Sequence, residues 1–287
     1  MESGVRPLGR AVTDSSQPLI TLNSGKVMPQ LGLGAYKVNQ DIAVQLVQHA
    51  LEIGYRRIDT AALYDNEAEV GAAIRKSGLA RDEVFVTSKI WNDRHGYAEA
   101  KEAIQESIER LNIDYVDMML IHWPCPKQDK FVETWRAFEE VLESGVVRSI
   151  GVSNFNQPHL EKLLASANVI PAINQVELHP QLAQNSLRHF NTRHGIQTEA
   201  WAPLGRARFN DNILLGEIAE SLGKTVAQVI IRWHLQLGNL VIPKSSNPDR
   251  LAENFDVFDF ELSEHNMGVI ATLNTETRIA TNPDDMN

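Results

Sequence analysis

Short β-branched or aliphatic runs alternate with longer amphipathic runs from Leu19 onward, and this alternation most limits the possible folds. The pattern is typical of repeated βα units around a parallel sheet. Eight runs have the length and composition of strands, at residues 30–36, 55–60, 84–89, 116–122, 148–153, 172–177, 197–202 and 240–245. Eight parallel strands, each followed by a helix, predict an α/β fold of the (β/α)8 TIM barrel type.

The segments before the first strand are expected to lie outside the barrel. Residues 19–29, LITLNSGKVMP, predict a β-hairpin over the bottom of the barrel, with Asn23-Ser24-Gly25 as its turn. Residues 1–17 are polar and lack the apolar centre of a secretory signal, so we expect a flexible leader. Residues 18–287 are then predicted to form a single barrel domain.

Composition and charge narrow the classes of function. With 43% hydrophobic and 22% charged residues, the chain has the make-up of an ordinary globular protein. A net charge of −10 disfavours nucleic-acid and membrane partners. The single cysteine, Cys125, excludes an internal disulfide, and no apolar run reaches the length of about 18 residues that a membrane span needs. We therefore expect a cytoplasmic protein that works as a monomer.

Polar side chains collect at the ends of the predicted strands, where the chemistry of barrel enzymes is normally found. A buried polar group without a partner costs roughly 1–3 kcal/mol, so these side chains should pair with each other or with a ligand. They are Tyr36, Asp59, Lys89, His122, Ser153, Asn154, Gln175, Trp201, Lys244 and Ser245.

Asp59, Tyr64, Lys89 and His122 form a chemically intelligible set, here called the tetrad. A tyrosine has a pKa of about 10, but a neighbouring ammonium such as that of Lys89 favours its phenolate and lowers that pKa. Asp59 can hold Lys89 in place, and His122 can donate a hydrogen bond to a substrate oxygen. Each residue alone has a structural explanation, as a cap, a packed ring, a surface lysine or a core histidine. Together they favour protonation of a carbonyl oxygen while hydride reaches the carbon.

Six segments carry a resemblance to a known family. They are GYRRIDTAALYDNEAEVG (54–71), VFVTSKIWN (84–92), LIHWP (120–124), IGVSNF (150–155), INQVELHP (173–180) and IPKSSNPDRLAENFDVFDF (242–260). In this order they resemble the aldo-keto reductases, and the resemblance extends from about Leu19 to the C-terminus. It implies that Tyr64 is the general acid, that Asp59 and Lys89 tune it, and that His122 orients the carbonyl group.

The resemblance also implies a cofactor, NADPH or NADP+, bound in an extended form without a Rossmann domain. Trp201 would stack on the nicotinamide, and Ser153, Asn154 and Gln175 would bind its carboxamide. For Lys244 or Arg250 alone, simple surface charge is the competing explanation. The remaining cofactor contacts predicted are Tyr36, Ala202, Leu204, Gly205, Lys244, Ser245, Arg250, Glu253 and Asn254.

Aromatic residues just beyond the strand ends predict a substrate pocket, with core packing as the competing explanation. The pocket would be formed by Tyr36, Trp91, His122 and Trp123. The polar tail after Leu273 is short and resembles that of bacterial 2,5-diketo-D-gluconate reductase-like members. It predicts an open pocket for small aldehydes, ketones or dicarbonyls, with keto-sugar acids among the candidates.

Two further readings concern function class. The rival to an enzyme is a non-catalytic barrel that binds NADP(H) as a sensor or structural protein, but such a protein has no need of an intact tetrad. No metal is expected, because His179 has no partner histidine or carboxylate at the spacing of a metal site.

Overall fold

The computed structural model describes residues 17–287, in which eight parallel strands form one sheet. Two further strands, β1 and β2, form a separate hairpin. In chain order the strands are β1 Leu19–Thr21, β2 Val27–Pro29, β3 Leu33–Gly34, β4 Arg57–Asp59, β5 Phe85–Ile90, β6 Met118–Ile121, β7 Ile150–Ser153, β8 Ile173–Glu177, β9 Gln197–Trp201 and β10 Leu240–Val241. Strands β3 to β10 pair in sequence, each parallel to the next. A parallel bridge between Leu31 and Val241, with a 2.9 Å hydrogen bond from Gly32 N to Val241 O, closes the ring. The predicted (β/α)8 barrel is confirmed.

Helices surround this sheet. In chain order they are α1 Gln40–Ile53, α2 Glu67–Lys76, α3 Tyr97–Leu111, α4 Phe131–Ser144, α5 Gln157–Leu164, α6 Asn185–Arg193, α7 Ile213–Leu222, α8 Val226–Gln236, α9 Pro248–Phe255 and α10 Glu264–Ala271. One helix follows each of β3 to β8, whereas β9 and β10 are each followed by two. Within residues 17–287, no helix is long and apolar enough to cross a membrane.

Local signals set the ends of α1. Asn39 caps its start by accepting a hydrogen bond from Asp41 N at 3.0 Å. Gly54 ends it with φ 121°, a conformation that side chains disfavour, and an added Cβ would lie 2.9 Å from the Phe255 ring. Only glycine therefore lets α1 stop here and α9 pack against it.

The two strands that close the barrel are shorter than predicted. Strand β10 has two residues rather than the six of 240–245, because Pro243 has no N–H for a strand hydrogen bond. Gly34 N still donates to Pro243 O at 3.2 Å, so the two strand ends stay together. Beyond them the chain forms loops that carry Tyr36 and Lys244 to the barrel mouth.

The N-terminal hairpin lies where it was predicted. Strands β1 and β2 pair antiparallel, and Leu22 and Met28 pack on apolar residues at the lower part of the barrel, including Phe85 and Met118. Asn23 Nδ2 in the turn donates to Pro171 O at 3.0 Å. The hairpin therefore covers the bottom of the barrel and leaves the opposite mouth open.

The predicted leader, residues 1–17, lies outside the described residues except at its last position. Gln17 is buried, and its Oε1 accepts a hydrogen bond from Leu31 N at 3.3 Å. Gln17 therefore contacts the start of the barrel, and the boundary between leader and barrel domain stays a prediction.

Candidate active site

A cavity of about 920 Å³ opens at the carboxyl ends of the barrel strands. This volume lies in the range of ligand and cofactor sites. Nearly every site residue predicted from the sequence lines the cavity. The two exceptions are Lys89, which is fully buried beneath it, and Gly205, which faces the protein interior.

The tetrad is assembled from the ends of three neighbouring strands. Asp59 ends β4, Lys89 is near the end of β5 and His122 follows β6, while Tyr64 closes a single 3-10 turn after β4. The Lys89 ammonium bonds the Asp59 carboxylate, donates to Thr60 O at 2.9 Å and lies 3.5 Å from the Tyr64 hydroxyl. It also lies 5.0 Å from the centre of the Tyr64 ring. Sequence reasoning therefore identified groups that the fold brings into contact.

Lys89 is charged despite complete burial. Burial alone would lower the pKa of Lys89, but the negative charge of Asp59, its hydrogen bond and the nearby Glu199 outweigh burial and raise that pKa. The ammonium is therefore a fixed positive charge beneath the cavity.

Tyr64 differs from the sequence-based expectation in the sign of its pKa shift. Burial of the hydroxyl end raises the pKa of Tyr64 to about 12, although the Lys89 ammonium acts to lower it. The expected lowering is wrong because desolvation of a phenolate outweighs one ammonium that Asp59 already neutralises in part. Tyr64 consequently holds its proton at neutral pH and can give it to a bound oxygen.

His122 faces Tyr64 across the cavity as a neutral imidazole. Burial, together with the positive charge of Lys89, holds the pKa of His122 well below its usual range. Its ring centre lies 5.7 Å from that of Tyr64 and 5.0 Å from that of Trp91, edge to face in both cases. Two neutral hydrogen-bonding groups, the phenol of Tyr64 and the imidazole of His122, thus point at one space.

These two pKa values predict a flat pH profile for a reduction at this site. Tyr64 must be protonated, and its activity is lost only as pH rises through about 12; His122 must be neutral, and its neutral form is lost only as pH falls below its depressed pKa. We therefore expect kcat for carbonyl reduction to vary less than about twofold between about pH 6 and about pH 9. Steady-state rates in overlapping buffers test this, and an inflection near neutrality would contradict it.

Four polar residues form a connected network beside the tetrad. Ser153 Oγ donates to Gln175 O at 2.8 Å, and Asn154 Nδ2 donates to Ser153 Oγ at 3.1 Å and to His122 O at 2.9 Å. Trp201 Nε1 donates to Asn154 Oδ1 at 2.9 Å, which orients the indole face at the cavity. Asn154 adopts φ 65°, a conformation that asparagine tolerates better than most residues.

Gln175 connects this network to a buried ion pair that sequence reasoning missed. Gln175 Nε2 donates to Asp59 Oδ2 at 2.7 Å and to Glu199 Oε2 at 2.8 Å, so its Oε1 is the atom left to accept from a ligand. Glu199 in turn bonds Arg57, and both side chains are fully buried. Residues two apart on a strand face the same side of the sheet. Because Arg57 is two positions before Asp59, and Glu199 two positions before Trp201, strand alternation could have shown that both charged side chains face the barrel interior.

The far end of the cavity is positively charged. Asn247 caps α9 by accepting from Asp249 N at 2.8 Å and from Arg250 N at 3.2 Å, so Arg250 lies in the first turn of that helix. The Lys244 side chain is exposed over much of its surface. Partial burial together with the charge of Lys37 lowers the pKa of Lys244. Over residues 17–287, no carboxylate forms an ion pair with Lys244 or Arg250. Glu253 instead accepts from Thr225 Oγ1 at 2.8 Å.

Gly205, in the loop after β9, lies behind the cavity wall, and its contact with the cofactor stays a prediction. Gly205 packs against Phe209, whose ring would collide with an added Cβ, so Gly205 shapes the loop from behind. Its neighbours Ala202, Leu204 and Arg206 do line the cavity. Arg206 lies in the sequence APLGR but was not predicted as a contact.

The end of the chain supplies a wall that the sequence did not predict. Ala280, Thr281 and Met286 line the cavity, so the C-terminal tail, residues 274–287, lies over part of the mouth. The short, polar sequence of this tail had predicted an open pocket. Its attachment depends on contacts with residues about 100 positions away, which no local pattern encodes.

The chain is similar to known proteins over most of its length. The model of the Aldo/keto reductase family matches residues 28–275. Over 273 residues the chain is 49% identical to the glyoxal reductase of Bacillus subtilis (strain 168), covering 95% of this chain and 98% of that protein. It is 45% identical over 269 residues to the methylglyoxal reductase DkgA of Escherichia coli (strain K12), covering 93% and 97%. A crystal structure of a Gox0644 mutant in complex with NADPH superimposes with a TM-score of 0.91 at 44% identity, covering 95% of this chain and 99% of that one.

Proposed function

This chain belongs to the aldo/keto reductase family and is an NADP-dependent oxidoreductase, and from that premise we propose that Tyr64 protonates the carbonyl oxygen that it reduces. The cofactor NADPH, when bound, supplies the hydride that the carbonyl carbon accepts. The observation that carries the proposal is the contact of the protonated Tyr64 hydroxyl with the buried Lys89–Asp59 pair at the floor of the cavity.

Each tetrad residue has a separate role in this proposal. Tyr64 donates the proton, and the Lys89 ammonium stabilises the phenolate that remains afterwards. Asp59 keeps Lys89 in place, and neutral His122 holds the substrate oxygen within reach of Tyr64. A binding protein without catalysis gains nothing from a lysine buried at this cost, which disfavours the sensor alternative.

The lining of the cavity fits the two ends of the cofactor. Gln175 Oε1 remains available as an acceptor for an amide N–H, and Trp201 presents an indole face beside it. At the other end, Arg250 lies in the first turn of α9 and Lys244 in the loop before that helix, where cations and a helix N-terminus favour a phosphate. We assign these residues to the nicotinamide and the 2′-phosphate ends respectively.

The substrate class follows from the charge around the tetrad. Tyr36, Trp91 and Trp123 surround Tyr64 and His122 with aromatic surface, and the ring centres of Tyr36 and Tyr64 are 5.1 Å apart. Lys37 Nζ lies 5.3 Å from the centre of the Tyr36 ring, and its charge also acts to lower the pKa of Lys244. None of the three aromatic side chains can form an ion pair, so a carboxylate held against them beside the tetrad would lose its hydration without a direct ionic partner. We propose small neutral dicarbonyls of the glyoxal type, rather than keto-sugar acids, as the preferred substrates.

Steady-state loss of NADPH tests this choice. With saturating NADPH, kcat/KM for methylglyoxal is expected to exceed that for a six-carbon keto-sugar acid by at least about tenfold, because only the acid buries an unpaired charge. Equal or reversed values would contradict the proposed substrate class while leaving carbonyl reduction itself intact.

Lys244 and Arg250 should give the enzyme its preference for NADPH over NADH. A 2′-phosphate carries almost two negative charges, and a charge-assisted hydrogen bond contributes roughly 1.5–3 kcal/mol. Replacing either cation with alanine should weaken NADPH binding by about tenfold or more and leave NADH nearly unchanged. Fluorescence titration gives both Kd values.

The matched control is Lys76→Ala, which removes an exposed lysine at the end of α2, outside the cavity. It should change neither Kd. If Arg250→Ala and Lys244→Ala weaken both coenzymes equally, these residues do not recognise the phosphate.

A further inference from the structure

Glu177 is a fully buried carboxylate at the end of β8, on the strand that also carries Gln175. Its Oε1 accepts hydrogen bonds from Ile279 N at 2.6 Å and from His179 Nε2 at 3.0 Å, and its Oε2 accepts from Ala280 N at 3.2 Å. Burial acts to raise the pKa of Glu177, but the bonds from His179 and Ile279 outweigh it and lower that pKa. The carboxylate is thus ionised, and two of the three hydrogen bonds that it accepts come from the backbone of the tail.

From Glu177 the tail crosses the substrate side of the barrel mouth. Asp284 accepts from Asn156 Nδ2, in the loop after β7, at 2.7 Å. At the end of the chain, Asn287 Oδ1 accepts from Lys127 N, in the loop after β6, at 2.8 Å. The tail therefore runs from the end of β8 to the loop that follows His122 and Trp123.

Glu177 makes the contact from which this crossing starts. Ala280 and Thr281, directly after the bonded Ile279 N, line the cavity, as does Met286 nearer the end. Two later anchors of the crossing, Asp284 and Asn287, are exposed, and exposed polar contacts stabilise little. A buried carboxylate that accepts three hydrogen bonds stabilises its partners far more.

We propose that Glu177 is a specificity-determining positioning residue, which fixes residues 279–281 as the outer wall of the substrate pocket. The inference rests on the proposed carbonyl reduction and deepens it. Glu177 touches no reacting atom; it acts through the backbone that it holds. His179 supports it, because its ring is fully buried, bonds the carboxylate and packs 5.8 Å from the ring of Phe209.

Glu177→Gln tests the proposal with almost no change in volume. One carboxylate oxygen becomes an NH2 group, which cannot accept from the tail, so one of its two backbone bonds is lost. We expect amide hydrogen exchange at Ile279 and Ala280 to accelerate by about tenfold or more. KM for methylglyoxal should rise at least about fivefold while Kd for NADPH stays within about twofold. The ratio of kcat/KM for an aromatic aldehyde to that for methylglyoxal should also rise, because the pocket widens.

Two further variants keep the test decisive. Ile279→Pro removes one tail donor without altering the buried core, so it should reproduce the rise in KM even where Glu177→Gln folds poorly. Glu276→Gln makes the same chemical change in the tail at a side chain whose one hydrogen bond within residues 17–287 comes from Asn274, at 2.7 Å, and it should leave exchange and KM unchanged.

The proposal would be overturned by an unchanged KM in both variants together with unchanged exchange at Ile279 and Ala280 in Glu177→Gln and at Ala280 in Ile279→Pro. An equal loss of NADPH affinity and substrate affinity would also overturn it, because it would indicate a general structural role. The exchange measurement needs no substrate, so its result does not depend on the proposed substrate class. Conversely, if the proposed role of Glu177 is wrong, the parent protein still turns over methylglyoxal.

Discussion

Tyr64→Phe is expected to reduce kcat for carbonyl reduction by about 10²–10⁴-fold, the usual contribution of a general acid. The ring of Tyr64 packs against Tyr36 and His122 and would stay in place in the variant, while the hydroxyl proton beside Lys89 is removed. Steady-state turnover of methylglyoxal with NADPH measures the loss.

The control for this variant is the binding of NADPH, because phenylalanine leaves the predicted nicotinamide contacts untouched. Kd for NADPH should stay within about twofold of the parent value. Tyr97→Phe offers a matched change, since it removes the hydroxyl of an exposed tyrosine at the start of α3, outside the cavity. Activity of Tyr64→Phe within a factor of two of the parent would exclude Tyr64 as the proton donor.

Lys89→Met is the change with the second largest expected effect. Methionine has a similar length but no charge, so Asp59 would stay buried with only the Gln175 amide as a partner. Breaking a buried ion pair by removing one member costs about 3–5 kcal/mol, so we expect a lower melting temperature. Turnover should fall by at least about 100-fold, because loss of the ammonium raises the pKa of Tyr64 further and leaves its phenolate unstabilised.

Lys101→Met separates this effect from the loss of any lysine. Lys101 is exposed on α3 and bonds Glu140 at 2.6 Å, and an exposed pair of this kind contributes at most about 1 kcal/mol. Calorimetry and turnover should both resemble the parent. Full activity of Lys89→Met across the pH range would show that Tyr64 does not depend on the ammonium.

The barrel and the position of the tetrad could be predicted because both depend on local patterns. Alternating runs place the strands, and Asp59, Lys89 and His122 follow from asking which residues stand at strand ends. The strand limits were less predictable, as β10 illustrates, because Pro243 ends the strand hydrogen bonds while the loop continues at the barrel mouth.

The missed features depend on long-range contacts or on solvation. Arg57 and Glu199 are separated by 142 positions, and Glu177 and Ile279 by 102. Strand alternation indicates that Arg57 and Glu199 face the barrel interior, but no local pattern shows that the members of either pair meet. The sign of the pKa shift of Tyr64 could not be predicted either, because the lowering by Lys89 follows from adjacency alone whereas the larger effect of burial requires the depth of the hydroxyl. The sequence thus predicts which side chains lie together more readily than how far they are desolvated.

The most direct test of the central claim is the fate of deuterium in NADPH that carries deuterium at both positions of the nicotinamide C4. Incubation with methylglyoxal, followed by mass spectrometry of the product, is expected to find one deuterium on the carbinol carbon of the alcohol, with the oxygen-bound hydrogen coming from solvent through Tyr64. Tyr64→Phe should bind the same labelled cofactor and yield almost no alcohol. Bound NADPH with no labelled alcohol from methylglyoxal or any other small carbonyl compound would contradict the account and favour a binding protein without catalysis.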